Sequence, residues 1–400
     1  MPVLNTIADR HDEMKGWRHA LHAHPELGFE EEWTSQFIAE KLESFGIETH
    51  RGMAKTGVVG IIHGQGSSSG KSSGRMIGLR ADIDALPMQE ANDFAHKSQI
   101  DGRMHACGHD GHTTMLLGAA QYLAETRNFD GTVVLIFQPA EEGGGGGQVM
   151  IEDGLFEQFN VETVWGMHNW PGVEEGKAVV QRGPSMAAAD VFRITIHGKS
   201  GHAAMPHTTV DTIAAGTALV QSLQTIVSRR VDPLDPAVVS VTQFQAGSTH
   251  NVIAGQAEIV GTARYVSHET GAFIQSQLRQ FAETITSAYD CRFDFEWEPG
   301  YPPTINHPDE ANRAAAVVEK VLGDNAVIFD APPSMASEDF SYMLEARPGA
   351  YIWLGAGDGS PRSGSKGGML HNTGYDFNDD LLPTGASFWA QLVESELPRK

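Results

Sequence analysis

Thiol, imidazole and carboxylate groups crowd into nine residues of this 400-residue chain, Met104-His105-Ala106-Cys107-Gly108-His109-Asp110-Gly111-His112. A thiolate is a soft donor and an imidazole a borderline one, and the combination suits divalent transition metals. A Cys two residues before a His can bring both donors to one ion on a sharply bent backbone, a bend that Gly108 permits. Further donors stand where apolar stretches end. Gly131 to Phe137 is a continuous apolar run of the kind that forms a strand buried on both faces, and it leads into Gln138-Pro139-Ala140-Glu141-Glu142 and five glycines. Two adjacent carboxylates at the end of a buried strand are costly unless something cationic receives them. The strand expected from Val161 to Met167 ends in His168, and His371 stands alone in Gly368-Met369-Leu370-His371-Asn372. Cys107, His109, Glu142, His168 and His371 exceed the three protein ligands of a single catalytic zinc. They suit two divalent ions about 3.5–4 Å apart that share one bridging ligand. Glu141, beside a ligand but left over, is then the candidate base for an activated water.

The elements that must position these groups follow from periodicity. Helical spacing over residues 5–45, broken at His24-Pro25, predicts two helices, at whose junction His19, His22 and His24 read as capping or packing residues. Gly57 to Ile62 and Met76 to Leu79 read as strands joined by a Ser/Gly-rich hairpin connection from Gly64 to Gly74. Within it, Gly66 to Ser72 resembles a phosphate-binding loop, but the required first glycine is Gln65 and no helix pattern follows. Arg80-Ala81-Asp82-Ile83-Asp84-Ala85-Leu86-Pro87 then places two carboxylates at a strand's C-terminal end, where open α/β sheets build their sites. Thr113 to Leu123 reads as an apolar helix.

From about Ala188 the pattern becomes βαββαβ, the order of a ferredoxin-like split βαβ unit with helices on one face of an antiparallel sheet. After Pro299 a helix from about Asp309, a short helix around Asp339, the strand Ala350 to Leu354 and a last helix from Leu381 to Glu396 return to the first pattern. The expected class is α/β: a discontinuous catalytic domain, residues 1–187 and 300–400, with a mixed sheet flanked by helices, and an inserted α+β ferredoxin-like domain over 188–299.

Composition narrows the partners. The chain has 28 basic and 51 acidic side chains, a formal net charge of −23, which disfavours nucleic acid and anionic membrane surfaces. No apolar stretch is long enough to span a bilayer, and Met1 to Gly16 has no signal-like apolar core, which points to a cytoplasmic protein. Two cysteines make no disulfide framework, so a reducing compartment leaves Cys107 available as a thiolate, while Cys291 reads as core.

Five segments carry a family resemblance: Leu21-His-Ala-His-Pro-Glu-Leu27, Arg80 to Pro87, Met104 to His112, Phe137-Gln-Pro-Ala-Glu-Glu142 and Ser337-Glu-Asp-Phe340. In these motifs and their order the chain resembles, over nearly its whole length, the amidohydrolase branch of the M20 metallopeptidase family. That branch includes hippurate hydrolases, N-acyl-amino-acid amidohydrolases and indole-acetyl-amino-acid hydrolases. The resemblance implies two divalent ions per subunit (Zn, Mn, Co or Ni), with Cys107 bridging, His109 and His168 on one ion, Glu142 and His371 on the other, and Glu141 as general base. It makes the inserted domain a lid or dimerisation domain whose His202, in Gly198-Lys-Ser-Gly-His202, reaches the scissile carbonyl, and it gives Asn251 and Arg264 the substrate carboxylate. The wider family carries a metal-binding His where this chain has Asp82, which bears on the orienting role given to Asp84, and Ala254 replaces a common Pro.

The implied activity is hydrolysis of N-acyl-L-amino acids to a carboxylic acid and an amino acid. The alternatives are a dipeptidase or aminoacylase-type metallopeptidase and a noncatalytic metal-binding scaffold; the scaffold predicts loss of the base, and Glu141 is present. An antiparallel sheet with edge strands and an open face favours pairing across a two-fold axis. A homodimer is therefore expected, with His202 acting over the neighbouring subunit's metals.

Overall fold

The computed structural model describes residues 3–66, 72–362 and 364–399. Positions 67–71, which hold most of the stretch resembling a phosphate-binding loop, lie outside the described residues. The chain divides into two compact units, one of Met1–Gly183, Asn306–Ala331 and Tyr342–Lys400, the other of Pro184–Ile305 and Pro332–Ser341.

The first unit is built on an eight-stranded mixed sheet. Its order is Glu48–Met53, Gly57–His63, Thr132–Gln138, Met76–Asp82, Thr163–Trp170, Gly349–Gly355, Ala178–Val179 and Val327–Ile328. Gly57–His63 and Met76–Asp82 are not a hairpin. Thr132–Gln138 lies between them, antiparallel to the first, with Val59 opposite Ile136, and parallel to the second, with Leu79 opposite Leu135. An apolar strand with no polar face is satisfied only between two others, and this one is buried along nearly its whole length.

The helix His109–Thr126 packs on this sheet beside Leu382–Glu396 and His11–Ala23. It begins a turn before the apolar periodicity that starts at Thr113, because His109, Asp110 and His112 are buried with polar partners and carry no hydrophobic signal. Leu79, Leu116, Phe137, Trp165, Ile352 and Trp389 lie in the core around these elements.

The second unit contains Ala188–His197, Thr212–Arg229, Ala237–Ala246, Gln256–Tyr265, His268–Ala288 and Arg292–Glu298, in βαββαβ order. Its four strands run in the spatial order Ala237–Ala246, Gln256–Tyr265, Ala188–His197, Arg292–Glu298, every pair antiparallel. Asp211 and Ser267 start the two helices by accepting the free N–H groups of Ile213 and Ala214 and of Thr270. Alternate residues Phe192, Ile194 and Ile196 join Leu219, Leu223 and Leu278 in the core, with Cys291 among them. The opposite face is polar, carrying the ion pairs Arg193–Glu258 at 3.0 Å and His197–Asp294 at 2.8 Å. No helix among the described residues is long and apolar enough to cross a membrane.

Candidate metal centre

Gly108 has φ 97, and a Cβ there would stand 2.3 Å from the Asn169 side-chain oxygen. Only glycine both turns the chain and admits that approach. The turn leaves Cys107 on one side and sets His109 in the first turn of its helix. His109 Nδ1 donates to the Asp84 backbone oxygen at 2.9 Å, with Asp84 Oδ1 at 3.2 Å. That bond leaves Nε2 with its lone pair, buried and without a hydrogen-bond partner. His168 repeats the arrangement: its Nδ1 donates to the Asn169 backbone oxygen at 2.6 Å, and its Nε2 faces Cys107 Sγ at 3.2 Å. Fixing a ring by its distal N–H is how proteins aim a histidine at a metal.

The Glu142 N–H donates to Asp84 Oδ2 at 2.9 Å. Glu142 Oε1 is buried without a hydrogen bond, and His371 Nε2 lies 3.2 Å away. His371 reaches this place with a left-handed backbone, φ 57, and its N–H on the Ala106 carbonyl at 2.8 Å. The outcome is two donor triads, Cys107/His109/His168 and Cys107/Glu142/His371, each with ligand atoms within 4.8 Å of one another. They share the thiol. Glu141, 8% exposed, forms a further group with His109 and Glu142, its Oε2 4.0 Å from His109 Nε2.

The electrostatics fit a cation at this place. Burial pushes the Cys107 thiol well up, and the charges of Glu142, Glu141 and Asp82 push it further. Burial lowers His109, but Asp82, Asp84 and Glu142 outweigh it and raise its pKa to about 10. The cluster therefore calls for positive charge, which divalent ions on Nε2 and the thiolate supply in place of protons. Burial and the neighbouring His112 hold His168 well below the usual imidazole range, in the neutral form that ligates.

Asp82, His109 and His112 form another group of close donors, but Asp82 Oδ2 is taken by Arg80 at 2.7 Å and Oδ1 by His112 at 2.6 Å. The other His112 nitrogen lies 2.7 Å from Asn169 Oδ1, and the Asn169 amide donates to the Tyr375 hydroxyl at 2.6 Å. This buried chain supports the centre from behind. The spacing of His109 and His112, three apart on one helix face, hints at it; Asn169 and Tyr375 have no signal in the sequence. Of the early histidines, His22 is buried between Asp110 and Glu90, His19 bonds Asp379 at 2.9 Å, and His24 bonds the Ala20 carbonyl at 2.9 Å.

In the second unit, the two-residue strand Gly201–His202 pairs with Val252–Ile253, and the Ala203 N–H donates to the Asn251 carbonyl at 3.1 Å. His202 and Asn251 are thereby neighbours, both exposed. The His202 Nδ1 accepts the Ala204 N–H at 3.1 Å, so the neutral ring carries its proton on Nε2 as an outward donor. Arg264 stands eight residues along its strand from Gln256, roughly 27 Å at the rise of an antiparallel strand. The unit does not bring it to the other two.

A thiol shared by two donor triads, with a carboxylate to spare beside them, has the donor chemistry of a two-ion hydrolytic centre. The chain belongs to peptidase family M20/M25/M40, whose profile it matches over residues 78–395. It is 41% identical over 393 residues to a hippurate hydrolase of Campylobacter jejuni, covering 98% of this chain and 99% of that protein. To an N-acyl-L-amino acid amidohydrolase of Geobacillus stearothermophilus it is 46% identical over 305 residues, 74% of this chain and 80% of the relative. Among solved structures, a dinuclear metal binding peptidase of the M20 family from Bacillus subtilis superposes with a TM-score of 0.84 at 34% identity, covering 98% of this chain and 100% of its own.

Proposed function

We propose that this protein is an amidohydrolase with two divalent ions per subunit that cleaves N-acyl-L-amino acids of the hippurate type into a carboxylic acid and a free amino acid. The observation that carries the reading is the pair of donor triads sharing Cys107 with Glu141 beside them. Cys107, His109, His168, Glu142 and His371 would hold the ions, which would supply Lewis-acid polarisation of the amide carbonyl and lower the pKa of a water. Glu141 takes the proton of the attacking water and returns it to the leaving amine, a role for which a nearly enclosed carboxylate is suited. Asp84 keeps the His109 ring in one tautomer, chiefly through its backbone oxygen, and holds the Glu142 backbone through its carboxylate, so one residue sets a donor in each triad.

The lid residues complete the reading. His202, with its outward Nε2–H, donates to the developing oxyanion, while Asn251 and Arg264 receive the substrate carboxylate. The separation of roughly 27 Å along the Arg264 strand is spanned when Asn251 and Arg264 come from different subunits. The working form is accordingly a homodimer in which His202 serves the neighbouring subunit, in the cytoplasm. The deciding experiment strips the protein with a chelator, adds back Zn2+, Mn2+, Co2+ or Ni2+, and offers hippurate, N-acetyl and indole-acetyl amino acids and dipeptides. Metal-restored turnover of N-acyl amino acids is expected. Preference for dipeptides with every ion would replace this reading with the peptidase one, and turnover of nothing with any ion would leave the scaffold.

A further inference from the structure

The two carboxylates read as base and ligand follow a turn whose backbone is held in a shape it does not favour. Ala140 has φ 54, the left-handed region that a residue with a Cβ enters only at a cost, and it is completely buried. Its carbonyl accepts the N–H groups of Gly144 and Gly146, both at 3.2 Å. Its surroundings leave little slack: a Cβ on Gly28 would stand 2.9 Å from the Ala140 methyl, and one on Gly144 2.7 Å. Two residues on, the Glu142 N–H is secured by Asp84.

The Ala140 N–H itself donates to Glu31 Oε1 at 2.9 Å. Glu31 lies more than a hundred positions earlier, at the start of the helix Glu32–Ser44, and is 0% exposed. Short polar side chains in that position cap their own helix's free N–H groups, whereas Glu31 makes no such cap. Its second oxygen accepts the Thr56 hydroxyl at 2.6 Å. The side chain thus turns away from its helix to join two other segments. Burial pushes its pKa up to about 7, with the Thr56 bond opposing the rise and the Asp84 charge adding to it. A buried acid kept at this place has to be matched by what it holds, and a charge-assisted bond is the strong form of the contact.

We propose that Glu31 is the positioning residue of this turn: by bonding the Ala140 N–H it keeps the left-handed backbone in place and thereby sets where the Glu141 and Glu142 carboxylates stand. The inference rests on the reading of Glu141 as base and Glu142 as ligand. Released from Glu31, Ala140 relaxes toward negative φ and carries the following side chains with it. Misplacement of a reacting group by about 1 Å is enough to cost on the order of a hundredfold in rate.

Three variants of the full chain test this, assayed with hippurate at saturating Mn2+ with ions per chain measured. Glu31→Leu keeps bulk but offers no acceptor, and Glu31→Asp keeps the charge on a side chain about 1.5 Å shorter, the length of one bond. Each is expected to lose kcat by on the order of a hundredfold, with KM changed by no more than about the amount uniform binding would allow, twofold or so. Glu31→Gln can aim its carbonyl at the Ala140 N–H and its amide at the Thr56 oxygen, so it should stay within about tenfold of the parent. Wild-type kcat in both Glu31→Leu and Glu31→Asp overturns the proposal, as does a fall in Glu31→Gln equal to theirs. Should Glu31→Leu show no cooperative unfolding, Glu31→Asp decides by the same criterion. Glu141→Gln run alongside separates the two failures: if it is inactive while the Glu31 variants are normal, positioning is wrong and the function reading stands, whereas if it is fully active the base assignment itself falls.

Discussion

His22 offers a test of the buried network that supports the start of the helix His109–Thr126. Its ring lies fully buried, Nδ1 2.8 Å from Asp110 and Nε2 3.3 Å from Glu90, with Arg18 paired to Asp110 at 3.7 Å and the His96 and His105 rings nearby. Burial alone would push the imidazole down, but the bonds to Asp110 and Glu90 and the Asp110 charge outweigh it, and the pKa rises from 6.5 to about 9. A folded-state pKa above the unfolded one contributes stability that is complete below pH 6.5 and is lost as the pH climbs through 9. At 1.36 kcal/mol per unit, that rise corresponds to about 3 kcal/mol. His22→Gln removes the titrating group while retaining a donor. Six of the seven tryptophans, Trp17, Trp33, Trp165, Trp170, Trp353 and Trp389, lie in the first unit, so denaturant unfolding followed by tryptophan fluorescence reports on it. The stability gap between the metal-loaded parent and the variant should be larger at pH 6 than at pH 10 by about 3 kcal/mol. A gap that stays constant between those pH values would refute a cationic His22.

The centre itself makes sharper demands. Glu141→Gln should keep near-normal metal content and lose at least about a hundredfold in activity, the usual worth of a general base; strong turnover by a fully loaded variant would rule the assignment out. Cys107→Ala removes the donor common to both triads, so metal analysis should find fewer than two ions per chain. Retention of both would exclude the thiol as bridge. Metal affinity should weaken as the pH falls and the ligands protonate, which equilibrium dialysis at pH 5 and pH 8 would measure, and equal affinity at both would count against the donor set. Mixing inactive Glu141→Gln chains with inactive His202→Ala chains, under conditions that exchange subunits, should restore about a quarter of the parent activity on statistical pairing. No recovery with exchange demonstrated would place His202 in its own chain's site or outside catalysis.

The residues that the folded chain gathers at the candidate centre are legible in the amino-acid sequence because metal chemistry constrains residue types strongly. Cys107, His109, Glu142 and His371 form close groups in the folded chain, as does His168 with the first two. The βαββαβ alternation is legible for a similar reason, since sheet and helix periods differ and strands such as Ala188–His197 and Arg292–Glu298 alternate between a more and a less buried face. What surrounds the donors is not. Asp82 is turned away by Arg80 and His112, Asn169 ties His112 to Tyr375, and Glu31 reaches the turn before Glu141. Apart from the Arg80–Asp82 pair, which lies within one strand, each of these depends on a contact between segments far apart in the chain, and a polar residue gives no periodic sign of the partner that will satisfy it. The expected hairpin fails for the same reason: local sequence marks Gly57–His63 and Met76–Asp82 as strands, but the insertion of Thr132–Gln138 between them follows from the burial of all three, which only the assembled sheet decides.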